Sequence, residues 1–179
     1  QWYLDSIEFP YIDVVTEMES EGLLLNTPLL DELIHTVTGA KAETHGKAIL
    51  SIGEDINLNS SKQLRKILYK KMGLKIPFFT DGGEDGLNKQ PSTDKEALSK
   101  LIDWYPQNTF LSILLEYKKY AKVLSNPLKR FKKNLDTDGK IRGYFNQCGA
   151  VTGRLSSDLQ QLPRMKNDKF KIRNLVVAE

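Results

Sequence analysis

The stretch "NTFLSILLEYKKYAKVLSNPLKRFKKN", residues 108–134, decides the fold class. Phe110, Leu114, Tyr117, Ala121 and Leu124 recur by four and three, which is the spacing of a helix that packs one seam against another helix. Lys118, Lys119 and Lys122 occupy the reverse side, and Lys129, Arg130, Lys132 and Lys133 follow. Pro127 has to end or kink this helix, because the residue before a proline is pushed out of α geometry. The chain is therefore built around long helices with one apolar and one cationic face.

Outward from it, the same period recurs. In "FPYIDVVTEMESEG" (9–22), Ile12, Val15 and Met18 share a side and Gly22 is placed as a C-terminal cap. The next helix starts at Asn26 or Thr27 with Pro28 in its first turn; Gly39 and Gly46 argue against an unbroken run to Leu50. "NSSKQLRKILYKKMG" (59–73) is capped by Asn59 or Ser60, buries Leu64, Ile67, Leu68 and Met72, and shows Lys62, Lys66 and Lys70 with Arg65 on another face. "STDKEALSKLIDWYP" (92–106) opens with a capping box from Thr93 to Glu96. Strand signals arrive late, in "DTDGKIRGYFNQ" (136–147) and "FKIRNLVVAE" (170–179). The fold class is α+β, mostly helical.

Composition removes several function classes. The single cysteine, Cys148, excludes an internal disulfide and a Cys-rich zinc site, and fits a reducing, intracellular setting. No apolar run reaches the ~18 residues of a membrane span, so a membrane partner is not expected. No phosphate-binding Gly-x-x-x-x-Gly-Lys-Ser/Thr loop occurs. His35 and His45 lack carboxylates at metal-ligand spacing. "DGGEDG" (81–86) is a loop that fails the calcium pattern, with Gly83 and Ser92 where carboxylates are needed. No pair of carboxylates is placed for acid–base work, so no catalytic residue and no metal ligand is assigned within the chain.

Charge is more informative than its net value of +3. Residues 1–40 hold eight acids and no Lys or Arg, whereas residues 117–179 hold fifteen Lys/Arg against five acids. Segregation of this kind suits a polyanion, whose phosphates release counterions when neutralised. Solvated helix faces would give the same pattern, so charge alone leaves a plain helical interaction domain open. Asn59, Ser60 and Ser61 with Lys62 form a capped helix start flanked by cations, which suits a backbone phosphate. In the polar stretch "TGRLSSDLQQLPR" (152–164), Arg154, Gln160 and Gln161 supply guanidinium and amide donors, with Asn146 and Gln147 nearby. Such donors fit a minor groove, where acceptors occur on every base pair.

At these residues the sequence resembles the family A DNA polymerases. The segments are "FNQCGAVTGRLSS" (145–157), "LQQLPR" (159–164) and "KIRNLVVAE" (171–179). They are preceded in order by "MESEGLLLN", "INLNSSKQLRKILYKKMGL", "STDKEALSKL" and "LLEYKKYAKVLSNPL". The resemblance covers essentially the whole chain. It implies a start of the palm over 1–25, a helical thumb over 26–135 and a partial palm with a template–primer-binding loop over 136–179, the palm sheet being completed by further chain.

It also implies roles. Arg154, Gln160, Gln161, Asn146 and Gln147 would line the primer–template minor groove near the insertion site. Ser60, Ser61, Lys62 and Lys122 would hold the phosphate backbone. The link at Asp158 is shorter than in the family. The family's first metal-binding aspartate follows the position of Glu179, so the ligands for Mg2+ and the fingers that grip the dNTP are expected on a second polypeptide or a further part of the chain, and these residues alone are expected to be inactive. A non-catalytic duplex-binding accessory module on the same scaffold is the alternative.

Overall fold

The computed structural model describes residues 1–82, 88–147, 149–157, 159, 162 and 168–177. The α+β, mostly helical class holds. A π-helical turn, Leu4–Glu8, leads into α1 (Phe9–Glu21), followed by β1 (Leu23–Leu24) and α2 (Thr27–Ile52). Next come α3 (Ser61–Arg65) with a π-helical continuation Lys66–Lys71, α4 (Lys95–Trp104) and α5 (Thr109–Val123). A π-helical stretch Leu124–Leu128 joins α5 to α6 (Lys129–Lys133). Short strands β2 (Lys140–Ile141), β3 (Phe145–Asn146) and β4 (Ser156–Ser157) and a 3-10 turn Ile172–Leu175 complete the described elements. Among the described residues no helix is long and apolar enough to cross a membrane.

The chain divides into two compact units, one of Val37–Lys122 and one of Gln1–Thr36 with Val123–Glu179. The first is organised by a continuous apolar cluster. Leu64, Ile67 and Leu68 from the 61–71 helix, Leu98 and Leu101 from α4, and Phe110, Leu111 and Leu114 from α5 are all buried in it. Fully burying one such side chain is worth about 1.5–3 kcal/mol, so this helical unit is stabilised by its own core. The three-and-four spacing read in α5 is therefore the seam that the fold uses.

The second unit holds two small antiparallel sheets. β1 pairs with β2 through Leu23–Ile141 and Leu24–Lys140, and β3 pairs with β4 through Phe145–Ser157 and Asn146–Ser156. Gly22 links α1 to β1 with φ 72°, and a Cβ there would lie 2.8 Å from the Ile141 carbonyl oxygen. Only glycine meets both conditions at low cost. Arg142 fixes the 136–142 turn, with guanidinium bonds of 2.6 Å to Asp136 and 2.7 Å to Asp138, while its Nε donates to the Ser20 carbonyl at 2.8 Å. The Arg142 bond, helped by the Lys140 N–H, holds the Asp138 carboxyl down at about 2.

Four expectations change. Gly39 and Gly46 do not interrupt α2, which runs unbroken from Thr27 to Ile52 with Asn26 Oδ1 capping the Leu29 N–H at 3.1 Å. Helix α4 is capped by Asp94, whose Oδ1 accepts the Ala97 N–H at 2.8 Å; Thr93 is buried one residue outside the helix. In the segment read as a strand at 170–179, the described residues form instead the 3-10 turn Ile172–Leu175 and a bridge from Val176 to Leu25. Its two apolar residues, Ile172 and Leu175, are three apart and both buried, which is 3-10 rather than strand spacing. On α1 only Val15 is buried, while Ile12 and Met18 stay exposed.

Candidate nucleic-acid interface

In the unit Val37–Lys122, the turn at 57–63 presents the first group of expected contacts. Ser60 is the N-cap of α3, its Oγ accepting the Gln63 N–H at 3.4 Å. Gln63 reaches back to the Asn57 N–H at 2.7 Å, and Asn57 Oδ1 accepts the Asn59 N–H at 2.9 Å. Ser61 and Lys62 are exposed in the first turn, which contains no acid. A cation there adds to the positive end of the helix dipole instead of cancelling it. Helix α4 shows the ordinary alternative, with Asp94 at its cap and Glu96 in its first turn. The start of α3 is therefore left electropositive, as an anion site requires.

Lys62, Lys66 and Lys70 are all exposed, and among the described residues Lys62 and Lys70 form no ion pair. Their neighbour Lys71 is used internally, donating to Glu54 at 2.6 Å and to the Ile52 carbonyl at 3.0 Å. On α5, Lys122 is exposed in the last turn beside exposed Lys119. Lys118, expected on the same cationic side, is half-buried and donates to the Thr93 carbonyl. Burial lowers its pKa from the ordinary lysine value. Lys132, expected beyond the kink as a free cation, pairs with Asp31 at 2.7 Å.

The second group lies on the hairpin of β3 and β4. Pairing of Asn146 with Ser156 brings Asn146 and Gln147 onto one short hairpin with Arg154, two residues from the pair. Asn146 and Arg154 are exposed and Gln147 is half-buried. The loop is tightly closed. Gly153 N–H donates to the Ala150 carbonyl at 3.0 Å with φ 71° at Gly153, and a Cβ on Gly149 would sit 2.2 Å from Ser156 Oγ. The hairpin is tied to α1 by Glu19, whose Oε1 accepts the Phe145 N–H at 2.6 Å. Reasoning from sequence missed Glu19, because 126 residues separate the partners. Gln160, Gln161, Asp158 and Cys148, and most of the 81–86 loop, lie outside the described residues.

Comparison with known proteins follows from this inventory. The DNA polymerase family A model matches residues 27–179. The chain belongs to that family. It is 35% identical to DNA polymerase I of Helicobacter pylori over 178 residues, covering 96% of this chain and 18% of that protein. Thermostable DNA polymerase I of Thermus filiformis is 30% identical over 184 residues, covering 99% of this chain and 21% of its own length. The POL domain of Pol1 from M. smegmatis, solved in complex with DNA primer-template and dNTP, matches with a TM-score of 0.88 and 28% identity, over 99% of this chain and 30% of that one. The chain thus spans about a fifth of the length of the curated relatives it matches. Family A polymerases are metal-dependent. Among the described residues no group of three or more His, Cys, Asp or Glu side chains is arranged to hold a metal ion.

Proposed function

We propose that this chain is the thumb and first part of the palm of a family A DNA polymerase, and that it grips the primer–template duplex for template-directed nucleotidyl transfer. The observation that carries the reading is the closed hairpin bearing exposed Arg154 and Asn146, in a chain whose backbone matches a polymerase domain solved with primer-template and dNTP. Minor-groove donors on a rigid loop sense the geometry of a base pair without reading its identity, which a copying enzyme requires. Ser60, Ser61, Lys62 and Lys122 contact the phosphate backbone; Gln160 and Gln161 extend the minor-groove set.

The thumb occupies 26–135, a span that contains the whole unit Val37–Lys122, and the palm takes 1–25 and 136–179. Catalysis is completed by a further polypeptide, or by a further part of the same chain, that supplies the fingers, the dNTP grip and the carboxylates for Mg2+. The apolar side chains that α1 leaves in solvent support this, since Phe9 is 54% and Ile12 48% exposed. The setting is intracellular, with the DNA.

The test is to mix this chain with a candidate partner bearing the rest of the palm and the fingers, and to measure nucleotide incorporation on a primer–template. Incorporation only in the mixture supports the reading. Duplex binding that never gains incorporation with any such partner points to a non-catalytic accessory module, and extension by this chain alone removes the need for a partner. In the active mixture, Arg154→Ala lowers incorporation much more than duplex binding, whereas Lys62→Ala mainly weakens binding.

A further inference from the structure

Tyr117 is 6% exposed on α5, yet its hydroxyl reaches the rim of the unit Val37–Lys122, where the Asn59 Nδ2 donates to it at 3.2 Å. Asn59 directly precedes the cap residue Ser60 and is itself exposed. The Tyr117 ring is held in place from two sides. His45 of α2 packs against it with ring centroids 5.9 Å apart, and the Lys41 ammonium lies 5.4 Å from its centre, within cation–π range. The Nε2 of the same His45 lies 3.1 Å from the Ile56 carbonyl oxygen, at the opposite end of the turn. The segment 56–60 is thus anchored at one end through His45 and at the other through Tyr117, and those two anchors touch each other.

From this we infer that Tyr117 is a positioning residue for the phosphate-facing turn, setting where Ser60, Ser61 and Lys62 stand without touching DNA itself; the inference rests on the phosphate-binding role proposed above for those three residues. The physical reason is specific. The bonds from Gln63 to Asn57 and within 57–60 close the turn on itself but do not fix it to the rest of the unit. The buried Leu58 side chain and the His45–Ile56 contact hold its first half to the unit, and the Tyr117 hydroxyl, from a helix 58 residues further along the chain, holds its Asn59 end. A carboxamide exposed to water loses little when that bond is removed, so the effect on folding is small. The effect on a turn whose cations must meet a fixed array of phosphates is larger, because misplacement is felt at each contact.

The experiment measures binding of the 179-residue chain to a primer–template duplex by fluorescence anisotropy across a salt series, with urea unfolding alongside. Tyr117→Phe keeps the ring for His45 and Lys41 and removes only the hydroxyl. The expected result is affinity lower by about threefold to fivefold, the size of one lost hydrogen bond, with an unchanged urea midpoint. The salt dependence also flattens although no charge has been removed, and it flattens no further when Lys62→Ala is added. Asn59→Ala, made from the exposed side, gives the same loss, and the double variant with Tyr117→Phe is no weaker than either single.

Unchanged affinity and salt slope in Tyr117→Phe, while Lys62→Ala weakens and flattens binding, overturns the positioning role alone. Additive losses in the Tyr117–Asn59 pair overturn it as well. If Lys62→Ala changes neither quantity, the phosphate reading of the turn fails, and the inference fails with it.

Discussion

The two units differ in how completely their helices bury apolar residues. Val37–Lys122 folds its helices around one cluster in which Leu64, Leu68, Leu98, Leu101, Leu111 and Leu114 are fully buried. In the other unit α1 buries Val15 alone, while Phe9, Tyr11, Ile12, Val14 and Met18 remain in solvent. The difference lies at α1, because elsewhere in that unit Leu30, Leu128, Ile141, Ile172 and Leu175 are as fully buried as the core of the first. It teaches that a unit with a core of its own can still leave one helix with its apolar residues largely in solvent. Near that helix a cavity of about 470 Å³ is lined by Val14, Glu17, Met18, Leu23, Phe145 and Leu159 among others.

The sharpest way to break this comparison is a matched pair of truncations. Leu114→Ala leaves a void in the closed core and should cost about 2–5 kcal/mol in urea unfolding. Ile12→Ala on the open face should stay within about 0.5 kcal/mol. Equal costs would show that α1 is as well packed as α5 and would remove the contrast. Next in size is Lys118→Met, which keeps most of the stem but orphans the Thr93 carbonyl; a loss of about 1–3 kcal/mol is expected, as for a buried acceptor left unpaired. A neutral outcome would return Lys118 to the exposed cationic side.

A smaller effect is expected at Lys62. Lys62→Ala should reduce the slope of log K against log salt for duplex binding by about 0.9, one phosphate's share, and leave urea unfolding unchanged. The smallest effect concerns pH. Arg142 depresses Asp138 from its ordinary 3.8 to about 2. A carboxyl lowered in the folded state binds its proton more readily when unfolded, so its stabilising contribution is full above that ordinary value and is lost as pH falls toward 2. Asp138→Asn should therefore unfold with a shallower decline than the parent between about pH 4 and pH 2. Identical pH profiles would mean that the Asp138–Arg142 pair contributes nothing to folding.

Local signals were legible in the sequence wherever one short-range interaction decided the outcome. Ser60 caps its helix, Gly22 takes the left-handed turn, and Asn126 before Pro127 leaves helical geometry with φ −148° and ψ 112°. Where two local signals competed, the reading of residues alone chose wrongly. Asp94 outranked Thr93 as a cap because the Lys118 ammonium takes the Thr93 carbonyl, a bond spanning 25 residues. The glycines of α2 were tolerated because helix propensity is a weak effect beside tertiary packing. On the candidate interface, residue types nominated Ser60, Lys62, Asn146 and Arg154 as contacts but gave no sign of the residues that hold them. Tyr117 read only as a seam residue and Glu19 only as one acid among many, since neither the Asn59 nor the Phe145 bond leaves any trace in spacing.

The π-helical continuation of α3 has a consequence for Lys62, Lys66 and Lys70. An α-helix completes a turn in fewer than four residues, so a row spaced by four leans steadily to one side. A π-helix, closing its hydrogen bonds one residue later, needs more than four and leans the row back. Because Lys62 lies in α3 and the other two in Lys66–Lys71, the two drifts oppose each other along this row of positions. The change of helical pitch thus works against a spiral in the backbone positions that carry these lysines.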